Sequence, residues 1–274
     1  MFGRSIEYKS AAQMRHMVDA GKVTSDALDA AVAAAGGGAT TADLNDAAAS
    51  VLKEAGATSN FLGYYGFPAT ICTSVNEQVV HGIPGSYVLK DGDMVSIDGG
   101  AIVNGWHGDS ARTVIVGEAD PEDQALSDVT RASLWHGIAA LAKASRVGEI
   151  GCAIDDYVNT TVGHKYGILE EYVGHGIGSE MHQAPDVVNF RSRNLGPKVK
   201  PGMCLAIEPM LVRGRLETEV LDDDWTVVTA DGARAAHWEH SVAVHSGGIW
   251  VLTAPDGGAA ELAPLGITPA PIAG

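Results

Sequence analysis

Cysteine is scarce, with three in 274 residues at Cys72, Cys152 and Cys204. Their odd count and lack of paired spacing argue against a disulfide framework or a zinc finger and fit a reducing cytosol. Basic residues are also few: 18 Lys and Arg against 34 Asp and Glu leave a net charge of −16. Phosphate contact needs clustered cations, so neither nucleic acid nor an anionic membrane is expected as the main partner, and solubility is reason enough for the charge. There is no apolar run of about 18 residues and no basic-then-apolar leader, so the chain is expected to be neither membrane-spanning nor secreted. What is present is a 46% hydrophobic composition at a mean hydropathy of +0.06, enough to bury a large core as one domain or two fused halves.

Two amphipathic helices are predicted over 10–35, with Met14, Met17 and Val18, and over 40–55, with Leu44, Val51 and Leu52 ahead of Gly56. Strand-like segments fill 70–116. The order then repeats. Pro121 opens a helix carrying Leu126, Val129, Leu134, Ile138 and Leu141, a second helix spans about 150–166, and strands run from 203 to 252. Helices on one side of a mostly antiparallel sheet make an α+β class, with two similar halves bringing residues to a central site. Residues 1–253 are expected to form a single domain. The Pro/Gly/Ala-rich stretch 254–274 is expected to be a disordered end, or at most an ordered cap.

Asp98, Asp109, Glu208 and Glu239 stand in short apolar stretches. Uncompensated in a core, each carboxylate costs several kcal/mol or takes up a proton, whereas two divalent cations would cancel all four charges. Asn104-Gly105 is a two-residue hairpin signal. With it as the loop, Val103 faces Trp106, Gly100 faces Asp109 and Asp98 faces Ala111, making the two aspartates diagonal neighbours within about 7–8 Å on one face. Taken alone, this hairpin fits two unrelated aspartates beside a turn as well as it fits a metal site. The second half of the chain adds His175 among Gly174, Gly176 and Gly178, where backbone must approach something closely. Glu208 has no lysine or arginine within several residues, and only Arg234 is near Glu239. Carboxylate and imidazole donors favour Mn, Fe(II), Co or Zn over a thiolate site.

The residues also carry a family resemblance. Ser74-Val75-Asn76-Glu77-Gln78-Val79-Val80-His81-Gly82-Ile83-Pro84, then Asp98, Asp109, Gly174-His175-Gly176-Ile177-Gly178, Ile207-Glu208-Pro209-Met210 and Trp238-Glu239-His240 resemble, in order and spacing, the methionine aminopeptidases. The match runs from about residue 6 to residue 252, and several separated motifs in register are far more specific than one. The resemblance implies the pita-bread fold, with its pseudo-twofold halves. It also implies removal of the initiator methionine from nascent chains with a small second residue, by a cytoplasmic monomer, with the ribosome as a candidate place of action. Two divalent ions are implied: Asp98 chelates one, Asp109 and Glu239 bridge both, and His175 with Glu208 completes the second. Glu208 is then the general base, while His81 and His182 contact substrate and stabilise the tetrahedral intermediate.

By position, Tyr64, Phe67, Cys72, Met181 and Trp225 correspond to the methionine pocket, which His81 and His182 also border. Phe67 stands where tyrosine is frequent, Met181 where an aromatic is frequent, and Gln183-Ala184 where an acidic pair usually precedes proline. The first two keep the pocket apolar, so changed affinity rather than changed chemistry is expected. Only 26 positions separate His182 from Glu208, which leaves no room for the type II helical insertion and indicates type I. An Xaa-Pro dipeptidase or aminopeptidase would share the five ligands but needs a separate N-terminal domain, for which the residues before Asp98 leave no space. A non-catalytic relative should have lost ligands, and all five are present.

Overall fold

The computed structural model describes residues 5–273. Helix α1 (Ala11–Ala34) starts at a capping box in which the Ser10 hydroxyl accepts from the Gln13 amide and the Gln13 side chain accepts from the Ser10 amide. Helix α2 (Thr41–Glu54) repeats the device with Thr40 and Asp43. Strands β1 (Thr58–Ser59), β2 (Ile71–Val75) and β3 (Gln78–Val80) lead to the long hairpin of β4 (Met94–Val103) and β5 (Trp106–Ile115). Asn104 and Gly105 both have positive φ, 51° and 79°, as a two-residue turn matched to strand twist demands. The ladder pairs Val103 with Trp106, Gly100 with Asp109 and Asp98 with Ala111, the register expected from the turn.

The second half opens with α3 (Pro121–Leu141), capped by Asp120 with Pro121 in the first turn, followed by α4 (Glu149–Asp155). The helix expected over 150–166 is shorter: a π-helical turn over Asp156–Thr161 ends it, and Gly163 and His164 both take positive φ. Strands β6 (Gly167–Ile168), β7 (Gly174–Gly176), β8 (Gln183–Val187), β9 (Cys204–Ile207), β10 (Met210–Val212), β11 (Thr218–Val220), β12 (Val227–Thr229), β13 (Ala235–His237), β14 (Glu239–His245) and β15 (Gly248–Val251) follow. The tail is folded rather than loose. A short helix, α5 (Ala259–Leu262), buries Leu262, and the Ala270 carbonyl bonds the His245 ring at 2.8 Å.

The central sheet runs β1-β4-β5-β14-β9-β7-β8, with β2 on β4 and β15 on β14, and its pairs are antiparallel. Two main cores flank its middle. One is built on Leu28, Leu44, Leu52, Val95 and Ile97, the other on Leu126, Leu134, Ile138, Ile150, Leu205 and Val242. Helix α1 lies against β5 at backbone contact, because a Cβ on Gly108 would sit 2.8 Å from the Gly21 nitrogen. The two halves meet where β5 pairs with β14, over only Glu239–Ala111 and His240–Ser110. Hydroxyls reinforce this short seam: Ser110 donates to the Glu239 carbonyl at 2.6 Å, Ser241 to the Asp109 carbonyl at 2.8 Å, and Thr113 to the His237 carbonyl at 2.7 Å.

Candidate metal centre

Five consecutive strands of the sheet each bring one of the five candidate ligands to the seam. In spatial order these are Asp98 on β4, Asp109 on β5, Glu239 at the start of β14, Glu208 directly after β9 and His175 on β7. Ala111 is the cross-strand partner of both Asp98 and Glu239, so a small side chain separates the two carboxylates. One ligand atom each from Asp109, His175 and Glu239 lie within 4.8 Å of one another, and all three residues are buried. The Glu208 carboxylate completes the cluster 3.5 Å from His175 Nε2.

These residues fit a divalent cation site. Asp98 Oδ1, Asp109 Oδ1 and Glu239 Oε1 are buried and accept no hydrogen bond, which in a low-dielectric interior is costly without a cation to face. Arg234 does not neutralise Glu239; its guanidinium pairs with Asp123 at 3.2 Å. The His175 Nδ1 lies 3.0 Å from the Gly176 carbonyl, an acceptor only, so the proton sits on Nδ1 and the Nε2 lone pair faces the carboxylates. Burial, then the neighbouring His182, lowers the His175 imidazole to about 3, keeping it neutral.

The electrostatics point the same way. Burial pushes the Asp109 carboxyl up to about 7. Asp98, Glu208 and Glu239 are driven well above the usual carboxylate range, first by burial and then by Asp109, with Glu208 adding to the shift of Asp98, and Glu208 and Asp98 to that of Glu239. Burial and mutual repulsion thus favour the protonated carboxyls wherever no cation offsets them.

A cavity of about 240 Å³ opens onto the five residues, and Tyr64, Phe67, Cys72, His81, Met181, His182 and Trp225 all line it. Phe67 packs edge-on against Trp225 with ring centroids 5.1 Å apart, and Met181 joins them in one buried apolar cluster. Tyr64 bonds the His182 Nδ1 through its hydroxyl at 2.7 Å, and the His182 ring packs against His175 at 4.3 Å. His81 adopts φ 61°, a conformation disfavoured for a non-glycine residue, and sits between the Tyr172 and Trp225 rings. Burial, then His182, lowers its imidazole to about 4. Cys72 is the cross-strand partner of Asp98; burial, then Asp98 and Asp109, holds its thiol well above the ordinary value, so it lines the wall as a small apolar group.

Phe61, Tyr172, Val173 and Met210 also line the cavity and were not singled out in the sequence, although Met210 and Val173 lie in or beside the quoted motifs. His237 was missed as well. It is buried, and its Nε2, which has no hydrogen-bond partner, lies 3.8 Å from Glu208 Oε2. Period-two alternation puts His237 on the same face as Glu239, and that was the available signal.

Comparison with known proteins settles the family. Residues 15–246 match Metallopeptidase family M24. The chain belongs to that family. This M24 peptidase is 48% identical over 254 residues to methionine aminopeptidase 1 of Mycobacterium tuberculosis, covering 91% of the chain and 96% of that protein. It is 46% identical over 216 residues to methionine aminopeptidase 1 of Bacillus subtilis, covering 79% and 86% respectively. A methionine aminopeptidase structure from Rickettsia prowazekii superposes with a TM-score of 0.87 at 34% identity, covering 91% of this chain and all of that one. The α+β pita-bread fold is therefore the fold of this chain, and as an M24 member it is a metal-dependent hydrolase. A prolidase from Pyrococcus furiosus shares the fold, with a TM-score of 0.71 at 19% identity over 90% of this chain and 65% of that one.

Proposed function

We propose that this M24 peptidase removes the N-terminal methionine from peptides and nascent proteins with a small second residue. The observation that carries the reading is the convergence of Asp98, Asp109, His175, Glu208 and Glu239 at the base of an apolar cavity. These five residues would hold two divalent ions of the Co, Mn, Fe(II) or Zn kind, and we take residues 1–253 as the catalytic domain, of which residues 1–4 lie outside the described residues. Divalent ions bound there supply Lewis-acid polarisation of a carbonyl and acidify water.

The chain's own residues do the rest. Phe67, Met181, Cys72 and Trp225 enclose an unbranched side chain and exclude water from it. Glu208, at the cavity floor, takes a proton on its carboxylate as general base. His81 and His182 stand above the floor as donors toward charge developing on the scissile carbonyl oxygen, and the Tyr64 contact orients the His182 ring. We place the enzyme in the cytoplasm as a monomer acting on emerging N-termini. Among the described residues no helix is long and apolar enough to cross a membrane.

The test is methionine release from Met-Ala-Ser by metal-free protein reconstituted with each ion in turn, with Gly-Pro as the competing substrate. Release of methionine with Gly-Pro untouched is expected. Cleavage of Gly-Pro without methionine release would make this an Xaa-Pro enzyme.

A further inference from the structure

The turn between β7 and β8 carries two residues of the cavity, Met181 and His182; within it Gly178 donates to the Glu180 carbonyl at 3.1 Å, and from β5 the His107 amide donates to the Gly178 carbonyl at 3.0 Å. A segment from the other end of the chain grips it. Glu7 accepts from the Ser179 amide at 3.1 Å, from the Ser179 hydroxyl at 2.6 Å and from the Gln183 side-chain amide at 3.0 Å. Lys9, whose side chain is 1% exposed, donates to the Gln183 carbonyl oxygen at 3.0 Å and pairs with Glu7 at 3.3 Å. The Lys9 amide is itself anchored to the Gly202 carbonyl at 2.7 Å. Both ends of the Gln183 amide are thus engaged, one by an anion and one by a cation.

Two features show the fit is specific. A Cβ on Gly178 would lie 2.2 Å from Glu7 Oε2 and from Lys9 Cε, so the turn admits this strap only with glycine there. Burial would raise the Glu7 carboxyl, but the hydrogen bonds from Ser179 and Gln183, with Lys9, outweigh it and hold it at about 2. An amide at 183 suits that fixed carboxylate, whereas a glutamate there would set two anions against one lysine.

We infer that Glu7 is a positioning residue that, with Lys9 and Gln183, fixes the 178–183 turn so that His182 and Met181 face the metal cluster. The inference rests on the aminopeptidase reading for its consequence in turnover, but not for the strap itself. Glu7→Ala, Gln183→Glu and the exchange pair Glu7→Gln/Gln183→Glu are compared in the full-length protein. Amide exchange at Ser179 is measured without metal, and kcat, KM and metal content are measured with Mn and Met-Ala-Ser.

Glu7→Ala and Gln183→Glu should each speed Ser179 exchange, lower kcat by about tenfold through His182 and raise KM a few-fold through Met181, with bound metal little changed, since small displacements of catalytic groups are costly. The exchange pair restores an amide–carboxylate contact and should recover kcat to within about threefold of the parent. An unchanged kcat in Glu7→Ala, or an exchange pair no better than Gln183→Glu alone, overturns the positioning role. The exchange pair decides the matter even if Glu7→Ala does not fold. If the parent releases no methionine, the functional reading fails, and Ser179 exchange still decides whether the strap exists.

Discussion

Asp109→Asn should affect the metal-free and the metal-loaded protein in opposite directions. Asp109 is 3% exposed, its Oδ1 accepts no hydrogen bond, and burial raises its carboxyl from 3.8 to about 7. Between those values the folded protein holds a proton that the unfolded chain has released, so stability falls as pH rises. The contribution is complete below about pH 4 and gone above about pH 7, the reverse of a salt-bridged aspartate. About three pH units at about 1.4 kcal/mol each amount to roughly 4 kcal/mol, of which about 3 is lost between pH 5 and 8. Asparagine has nothing to ionise, and removing the Asp109 charge also relaxes Asp98, Glu208 and Glu239, which it helps to raise. In EDTA at pH 8 the variant should therefore melt higher than the parent, by up to about 10 °C at roughly 2–4 °C per kcal/mol. Adding Mn at a thousandfold excess over its Kd, which stabilises by about 4.1 kcal/mol per bound ion, should close and then invert the gap, because the variant has lost a ligand. Thermal melts followed by circular dichroism at pH 5 and 8, with EDTA or Mn, test this. Parallel melting curves for variant and parent in EDTA would refute the reasoning.

Other outcomes follow from the same geometry. His81→Ala and His182→Ala should lower kcat/KM by about 10²–10³ at unchanged metal content; loss of metal in either would make it a ligand rather than a hydrogen-bond donor. Gly108→Ala sets a Cβ 2.8–2.9 Å from the α1 backbone at Ala20 and Gly21, and should cost about 1–3 kcal/mol and weaken metal binding through the adjacent Asp109. An unaltered Tm in that variant would mean α1 shifts freely. Across a Met-X-Ser series, X = Ala should be turned over on the order of 10²-fold faster than X = Lys, because a large second side chain lifts the carbonyl off the cavity floor. Equal rates would remove the selectivity from the reading.

Much of the site was legible because its signals are local. Asn104-Gly105 determined the β4–β5 register, since only a two-residue turn with positive φ at both positions matches strand twist, and that register put Asp98 and Asp109 on one face. The helices expected from apolar periodicity over 10–35 and 40–55 begin where Ser10 and Thr40 cap α1 and α2. The carboxylates in apolar strands pointed to a cation because no lysine or arginine lies near Glu208 and only Arg234 lies near Glu239. What no local pattern carries is the meeting of distant segments. The convergence of five strands at a seam held by Ser110, Ser241 and Thr113, the approach of His237 to Glu208, the folding of the tail onto His245, and the grip of Glu7 on Ser179 across 172 positions were decided by tertiary packing. Local periodicity reports which face of an element is buried. Which polar atoms then meet depends on how the two halves close against each other.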